Sequence, residues 1–149
     1  NPDGSRFADA AQGALYVADT LETAIAETRH HRERFLRATR EPATEIELRC
    51  YLIDVAGRFH DLRGRLEDPR YAAVYDRDDY AVSQALARAL RERGADGIAY
   101  DSVRRAGAQN LAAFRPRLGS NVRQSVHLRY VWNGDRIARV YEIRLIAGE

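Results

Sequence analysis

The chain has 149 residues, 45% of them hydrophobic and 31% charged, with a formal net charge of +2. A chain of this size forms one domain by default and buries about 70% of its unfolded surface. The composition excludes a spanning helix, since no apolar run nears the ~20 residues a bilayer requires, and the lone Cys50 excludes an intrachain disulfide.

Lysine and methionine are both absent, so every basic group is arginine and the natural start is expected upstream of Asn1. The guanidinium fork suits phosphate oxygens, although a GC-rich genome produces the same bias. A single cysteine fits a reducing compartment.

Asn1–Gly13 is polar and reads as loop, with Arg6 in the triplet Ser5-Arg6-Phe7. Ala14–Ala18 is a short apolar strand. Asp19 followed by Glu22 has the spacing of a capping box and predicts a helix start. Leu21, Ala24, Ile25 and Thr28 then form one buried face, and Glu27 sits on its border. A carboxylate there is partly desolvated, which is costly unless it has a partner or a task. Pro42 ends that helix.

Thr44–Val55 alternates, with Ile46, Leu48, Cys50 and Leu52 on its inner face. Gly57–Tyr75 is charged and irregular, read as loop with short helical turns. Tyr80–Arg93 is a helix with the stripe Val82, Leu86, Ala89 and Leu90, capped by Asp78 or Asp79 and ended by Gly94. Gly97–Val103 and Asn110–Phe114 are strands around a turn at Gly107. Gln124–Ile146 is a hairpin around Asn133-Gly134: Val126, Leu128, Tyr130 and Trp132 alternate on one arm, with Ile137, Tyr141, Ile143 and Leu145 on the other. No repeat or linker divides residues 1–149, so a single domain is expected. The element order argues an α+β fold with a mixed, mainly antiparallel, split sheet core and flanking helices.

Phosphate-loop, dinucleotide and serine-hydrolase signatures are absent. The four histidines have no zinc-ligand spacing, so no metal site is expected. What remains is Arg6, Tyr16, Glu27 and the segment Asp101–Arg104 leading to Asn110–Pro116. The ordered set S-R-F, L-Y-V-A, E-T-A-I-A-E, D-S-V-R and N-L-A-A-F-R-P resembles the RES domain, whose characteristic Arg, Glu and Ser match Arg6, Glu27 and Ser102.

That resemblance implies a fold similar to the ADP-ribosyltransferase toxins, with further structure ahead of Ser5. It also implies a cytoplasmic bacterial toxin that consumes NAD by hydrolysis, phosphorolysis or transfer of ADP-ribose to a host protein. The implied partner is an Xre-like antitoxin covering the active site, with no membrane and no direct nucleic-acid contact.

The residue types suit such chemistry. Cleaving the nicotinamide–ribose bond develops an oxocarbenium-like cation, which a carboxylate such as Glu27 stabilises. Arg6 suits a phosphate, Tyr16 a cationic ring, and Ser102 and Asn110 a ribose or amide. Each residue also admits a structural reading: Tyr16 as a strand aromatic, Glu27 as a partner of His31, Ser102 as a hydroxyl bonded to backbone, and Asn110 and Arg115 as supports of strand and turn. An arginine-rich nucleic-acid module and a catalytically inactive interaction domain are the rival functions. Against the first, the arginines are dispersed among nearly as many acids.

Overall fold

The computed structural model describes residues 4–146. Its elements are β1 (Leu15–Ala18), α1 (Leu21–Ala38), β2 (Thr44–Val55), β3 (Phe59–Asp61), α2 (Ala81–Glu92), β4 (Gly97–Asp101), β5 (Gln109–Ala113), β6 (Gly119–Trp132) and β7 (Ile137–Ile143), with 3-10 turns at Pro69–Tyr71 and Pro116–Leu118. The fold is α+β with mixed sheets. Among the described residues no helix is long and apolar enough to cross a membrane. The chain forms two compact units, Asn1–Ala24 with Val55–Gly119 and Ile25–Asp54 with Ser120–Glu149.

The first unit holds a four-stranded sheet in the order β1-β5-β4-β3. β5 pairs antiparallel with both β1 and β4, whereas β3 runs parallel to β4. β4 is buried along nearly its whole length, which explains its continuous apolar run. A side chain at Gly97 would collide with the Ala112 carbonyl and the Phe59 ring, so the close strand approach requires glycine there. The core gathers Phe7, Leu62, Tyr75, Leu90, Ile98, Tyr100 and Phe114. β3 lies inside the stretch expected to be irregular. Three residues, only one of them half-buried, carry too little periodicity to be read as a strand.

α2 lies one residue inside the expected limits at each end, and its N-cap is Tyr80, which makes no side-chain cap bond, in place of Asp78 or Asp79. The Asp79 carboxylate accepts the Ala81 N–H, and Gly94 adopts φ +79° at the C-terminus. Its buried stripe is one position off the reading, however: Ser83, Ala87 and Leu90 face inward and Val82 is exposed. Ser83 is buried at low cost because its hydroxyl donates to the Tyr80 carbonyl.

The second unit pairs β2-β6-β7. Leu128, Tyr130 and Trp132 point inward on β6 as expected, and Ile137 does so on β7. Residues 25–38 of α1 are fastened to this hairpin by polar bonds. Thr28 and Tyr130 share a hydroxyl–hydroxyl bond of 2.8 Å, the Ile137 N–H donates to Glu33 at 2.8 Å, and Arg37 donates to the Asp135 carbonyl at 2.9 Å. Trp132 donates its indole N–H to the Glu41 carbonyl at 2.9 Å.

Three further expectations are corrected. Leu52 is 51% exposed, because the alternation of β2 changes phase after Cys50 and continues inward at Ile53 and Val55. Tyr141 and Leu145 are exposed. A bulge at Val131/Trp132 resets the pairing, so Ile137 lies opposite Trp132, and Leu145 falls beyond β7. The α1 cap is Thr20 and not Asp19: the Thr20 hydroxyl accepts the Thr23 N–H at 3.2 Å. Asp19 instead joins β5, accepting the Gln109 N–H at 3.0 Å while its own N–H donates to the Gln109 carbonyl.

Thr20→Ala should therefore cost ~1 kcal/mol in denaturant unfolding. For Asp19, desolvation raises the pKa, but bonds from Thr23, Gln109 and Thr20 outweigh it and the net shift is downward. A depressed carboxyl pKa adds stability above its unfolded value, and that stability disappears as pH falls through the folded one. The stability gap between wild type and Asp19→Asn should close below about pH 4 in chemical unfolding measured across pH.

Candidate functional site

The site grows from the loop ahead of β1. Ser5 and Ala8 exchange backbone hydrogen bonds, closing a tight turn that Gly4 enters at φ +70°. A side chain at Gly4 would meet the Ala8 carbonyl. Phe7 is fully buried and packs edge-on against Tyr100, with centroids 4.9 Å apart. Arg6 is thereby drawn inside with it.

Arg6 is 7% exposed. Its guanidinium donates to the Val74 carbonyl at 2.7 Å and lies 5.2 Å from the centroid of the Tyr80 ring. It is a fixed interior cation, where sequence reasoning expected a loop arginine. Its field helps lower the Asp76 carboxyl, whose shift comes first from the Asp79 and Asp78 backbone N–H groups.

Tyr16 is 37% exposed, yet its hydroxyl is enclosed. The oxygen accepts the Phe7 N–H at 2.9 Å and shares a 2.8 Å bond with the Ser5 hydroxyl. Burial of this end raises the phenol pKa, against the opposing bonds to Ser5 and Phe7. Tyr16 thus grips the residues on both sides of Arg6, with part of the residue still open to solvent.

Ser102 is 1% exposed. Its hydroxyl accepts the N–H groups of Arg104 and Arg105, both at 3.1 Å, the backbone role that the sequence left open. The turn it shapes sends Arg105 to the Thr23 hydroxyl at 3.2 Å. Asn110 is buried on β5 opposite Tyr100 and Ala18, and it lines a shallow concavity of about 210 Å³ together with Asp19 and Arg63. Arg115 pairs with Asp96 at 3.6 Å. Glu27 is half-buried on α1, within the second unit, which suits the border position read from the sequence. Among the described residues no three His, Cys, Asp or Glu side chains are grouped to hold a metal ion.

Arg6 and Tyr16 are therefore joined directly through one loop, and Ser102 and Asn110 through the β4–β5 connection. Sequence reasoning missed the supports. Gln84 donates to the Ser5 and Ala8 carbonyls, Arg88 pairs with Asp9 at 3.1 Å, and Arg91 donates to the Gly13 carbonyl at 2.7 Å. These three stand at i, i+4 and i+7 on α2. That periodic polar face was a usable signal.

A family model described as the RES domain matches residues 1–133. The "Uncharacterized protein y4oC" of Sinorhizobium fredii is 34% identical over 141 residues, covering 95% of this chain and 57% of its own length. The chain thus spans a little over half of that curated relative. A match over most of the sequence shows that the chain belongs to the RES-domain family.

Proposed function

We propose that the chain cleaves the nicotinamide–ribose bond of NAD and acts as a bacterial toxin held in check by an antitoxin. RES domains are linked to NAD-utilising enzymes. The observation that carries the reading is the preorganised Arg6, buried and fixed between the Val74 carbonyl and the Tyr80 ring. A cation held in place before substrate arrives needs little reorganisation to meet a pyrophosphate.

In the proposed reaction the bond between ribose and the nicotinamide nitrogen breaks. Its electron pair leaves with nicotinamide, which departs neutral. The positive charge passes to the ribose, where the Glu27 carboxylate stabilises it. Oxygen of water or phosphate, or a protein side chain, then bonds to the ribose carbon and gives up its proton. The resulting products are ADP-ribose, its phosphorylated form, or a modified protein.

The nucleic-acid alternative fares worse on charge. Arg63, Arg70, Arg123, Arg129 and Arg144 are each engaged by a nearby carboxylate, leaving a mixed surface where a phosphate tracker needs a basic stripe.

Incubation with labelled NAD in plain buffer, in phosphate and in cell lysate tests the reading. Free ADP-ribose, its phosphorylated form or a labelled protein band identifies the acceptor. Intact NAD in all three, from folded protein, overturns the proposal. Co-expression with an antitoxin encoded alongside should abolish turnover and restore growth.

Variants divide the roles. Arg6→Ala should chiefly weaken NAD affinity by the ~1.5–3 kcal/mol of one hydrogen bond to a charged group, read by calorimetry. Glu27→Gln should retain affinity and lose ~100-fold or more in single-turnover rate. Tyr16→Phe keeps the ring and removes the grip on Ser5 and Phe7. It should resemble Tyr16→Ala in both affinity and rate. Wild-type behaviour of Tyr16→Phe beside a defective Tyr16→Ala would mean that ring stacking matters and the grip does not.

A further inference from the structure

The carbonyl that holds Arg6 needs an explanation of its own. Val74 lies in the segment that follows the Pro69–Tyr71 turn, outside any sheet. A carbonyl in such a segment is a poor fixed point for a cation unless something immobilises it. The next residue does so. Tyr75 is 5% exposed; its hydroxyl donates to the Leu62 carbonyl at 2.8 Å and accepts the Asp101 N–H at 3.2 Å.

Both partners are themselves held: Asp101 pairs with Gln109 across β4 and β5, and each makes a further bond. The Leu62 N–H donates to the Ala99 carbonyl at 2.8 Å, and the Asp101 carboxylate accepts the Gly64 N–H at 2.7 Å. Asp101 immediately precedes Ser102. One phenol therefore links the residue beside the Arg6 acceptor to the residue before Ser102. Within the segment the Val74 and Tyr75 N–H groups both donate to the Tyr71 carbonyl and Val74 packs into the core, but these contacts do not reach Asp101; a further side-chain tie, Arg104 to the Arg77 carbonyl at 2.7 Å, runs through a partly exposed side chain.

We propose that Tyr75 is a positioning residue, whose single buried hydroxyl fixes the Val74 carbonyl, and with it Arg6, relative to the Asp101–Ser102 backbone. Its effect on substrate rests on the NAD reading above; its effect on Arg6 does not. The phenol is suited to a lasting tie, because burial, with the Asp101 charge, pushes its pKa up to about 12 and keeps the donor proton in place. Phenylalanine would fill the ring's place in the core and leave the Leu62 carbonyl and Asp101 N–H without this partner.

The test uses the full chain with ¹⁵N-labelled arginine. The Arg6 side-chain N–H signal, identified by its loss in Arg6→Ala, should exchange slowly with water in the wild type. In Tyr75→Phe that signal should broaden or exchange at least tenfold faster, while the signal of the half-buried Arg91, which donates to the Gly13 and Phe114 carbonyls, persists. In turnover assays Tyr75→Phe should raise the KM for NAD about tenfold, roughly the loss of one hydrogen bond's positioning, with kcat within about threefold. The same change in an Arg6→Ala background should add less than twofold.

A purely structural Tyr75 would leave KM unchanged, lower activity in step with the unfolded fraction, and act equally in both backgrounds. Should Tyr75→Phe fail to fold, 4-fluorophenylalanine at position 75 fills the hydroxyl's space without a donor and takes its place. An unaltered Arg6 signal in a folded variant overturns the inference. Loosened Arg6 in a protein that never cleaves NAD leaves the inference standing and removes the proposed substrate.

Discussion

A buried guanidinium is the constraint around which the first unit is built. Desolvating a charge costs several kcal/mol unless hydrogen bonds and nearby dipoles replace the lost water. The Val74 carbonyl and the face of Tyr80 provide such replacement for Arg6, and each must be held where the cation is. Phe7 locks the loop from below by burial against Tyr100, Tyr16 grips it from the strand, and Gln84 holds it from α2. Remove the charge, and this concentration of bonds on one short loop loses its reason.

The sequence revealed those parts of the fold whose periodicity is long. The bounds of β2 were legible to the residue and those of α2 to within one residue at each end, and the terminal hairpin was legible as two strands about one turn, because each carries several turns or alternations of pattern. Failures occurred where a single tertiary bond decided the matter. Asp19 has the spacing of a capping residue, yet the neighbouring strand β5 claims its carboxylate and Thr20 takes over the cap. The α2 stripe was misplaced because Ser83, polar by type, satisfies its own hydroxyl within the helix and can face the core. The phase change of β2 and the bulge beside Trp132 leave no mark in local composition.

The candidate site shows the same division. Its candidate residues come from the ordered motifs, which are short and contiguous. Their environments were not. An arginine between Ser5 and Phe7 reads as solvated loop, because nothing local announces that Val74, 68 residues away, will supply the carbonyl. The Tyr16 ring suggested stacking, while its most definite contacts are made by the hydroxyl. Ser102 turned out to organise a turn, so any contribution it makes to substrate is made alongside two backbone N–H groups.

Arginine recurs in this protein as a collector of backbone carbonyls. Arg6 takes that of Val74, Arg37 that of Asp135, and Arg104 that of Arg77. Arg91 reaches two strands of loop at once: one terminal nitrogen donates to Phe114 at 3.2 Å and the other to Gly13 at 2.7 Å, with the guanidinium 3.9 Å from the Phe114 ring centroid. A lysine ammonium has three donors but no planar fork, and it is more strongly hydrated and harder to bury. Exchanging Arg91 for lysine would give up the double span and the flat contact with the ring together. Whatever genomic bias enriched the chain in arginine, the fold has come to rely on the geometry of the guanidinium, and the loop that carries Arg6 is held in part by another arginine, Arg91.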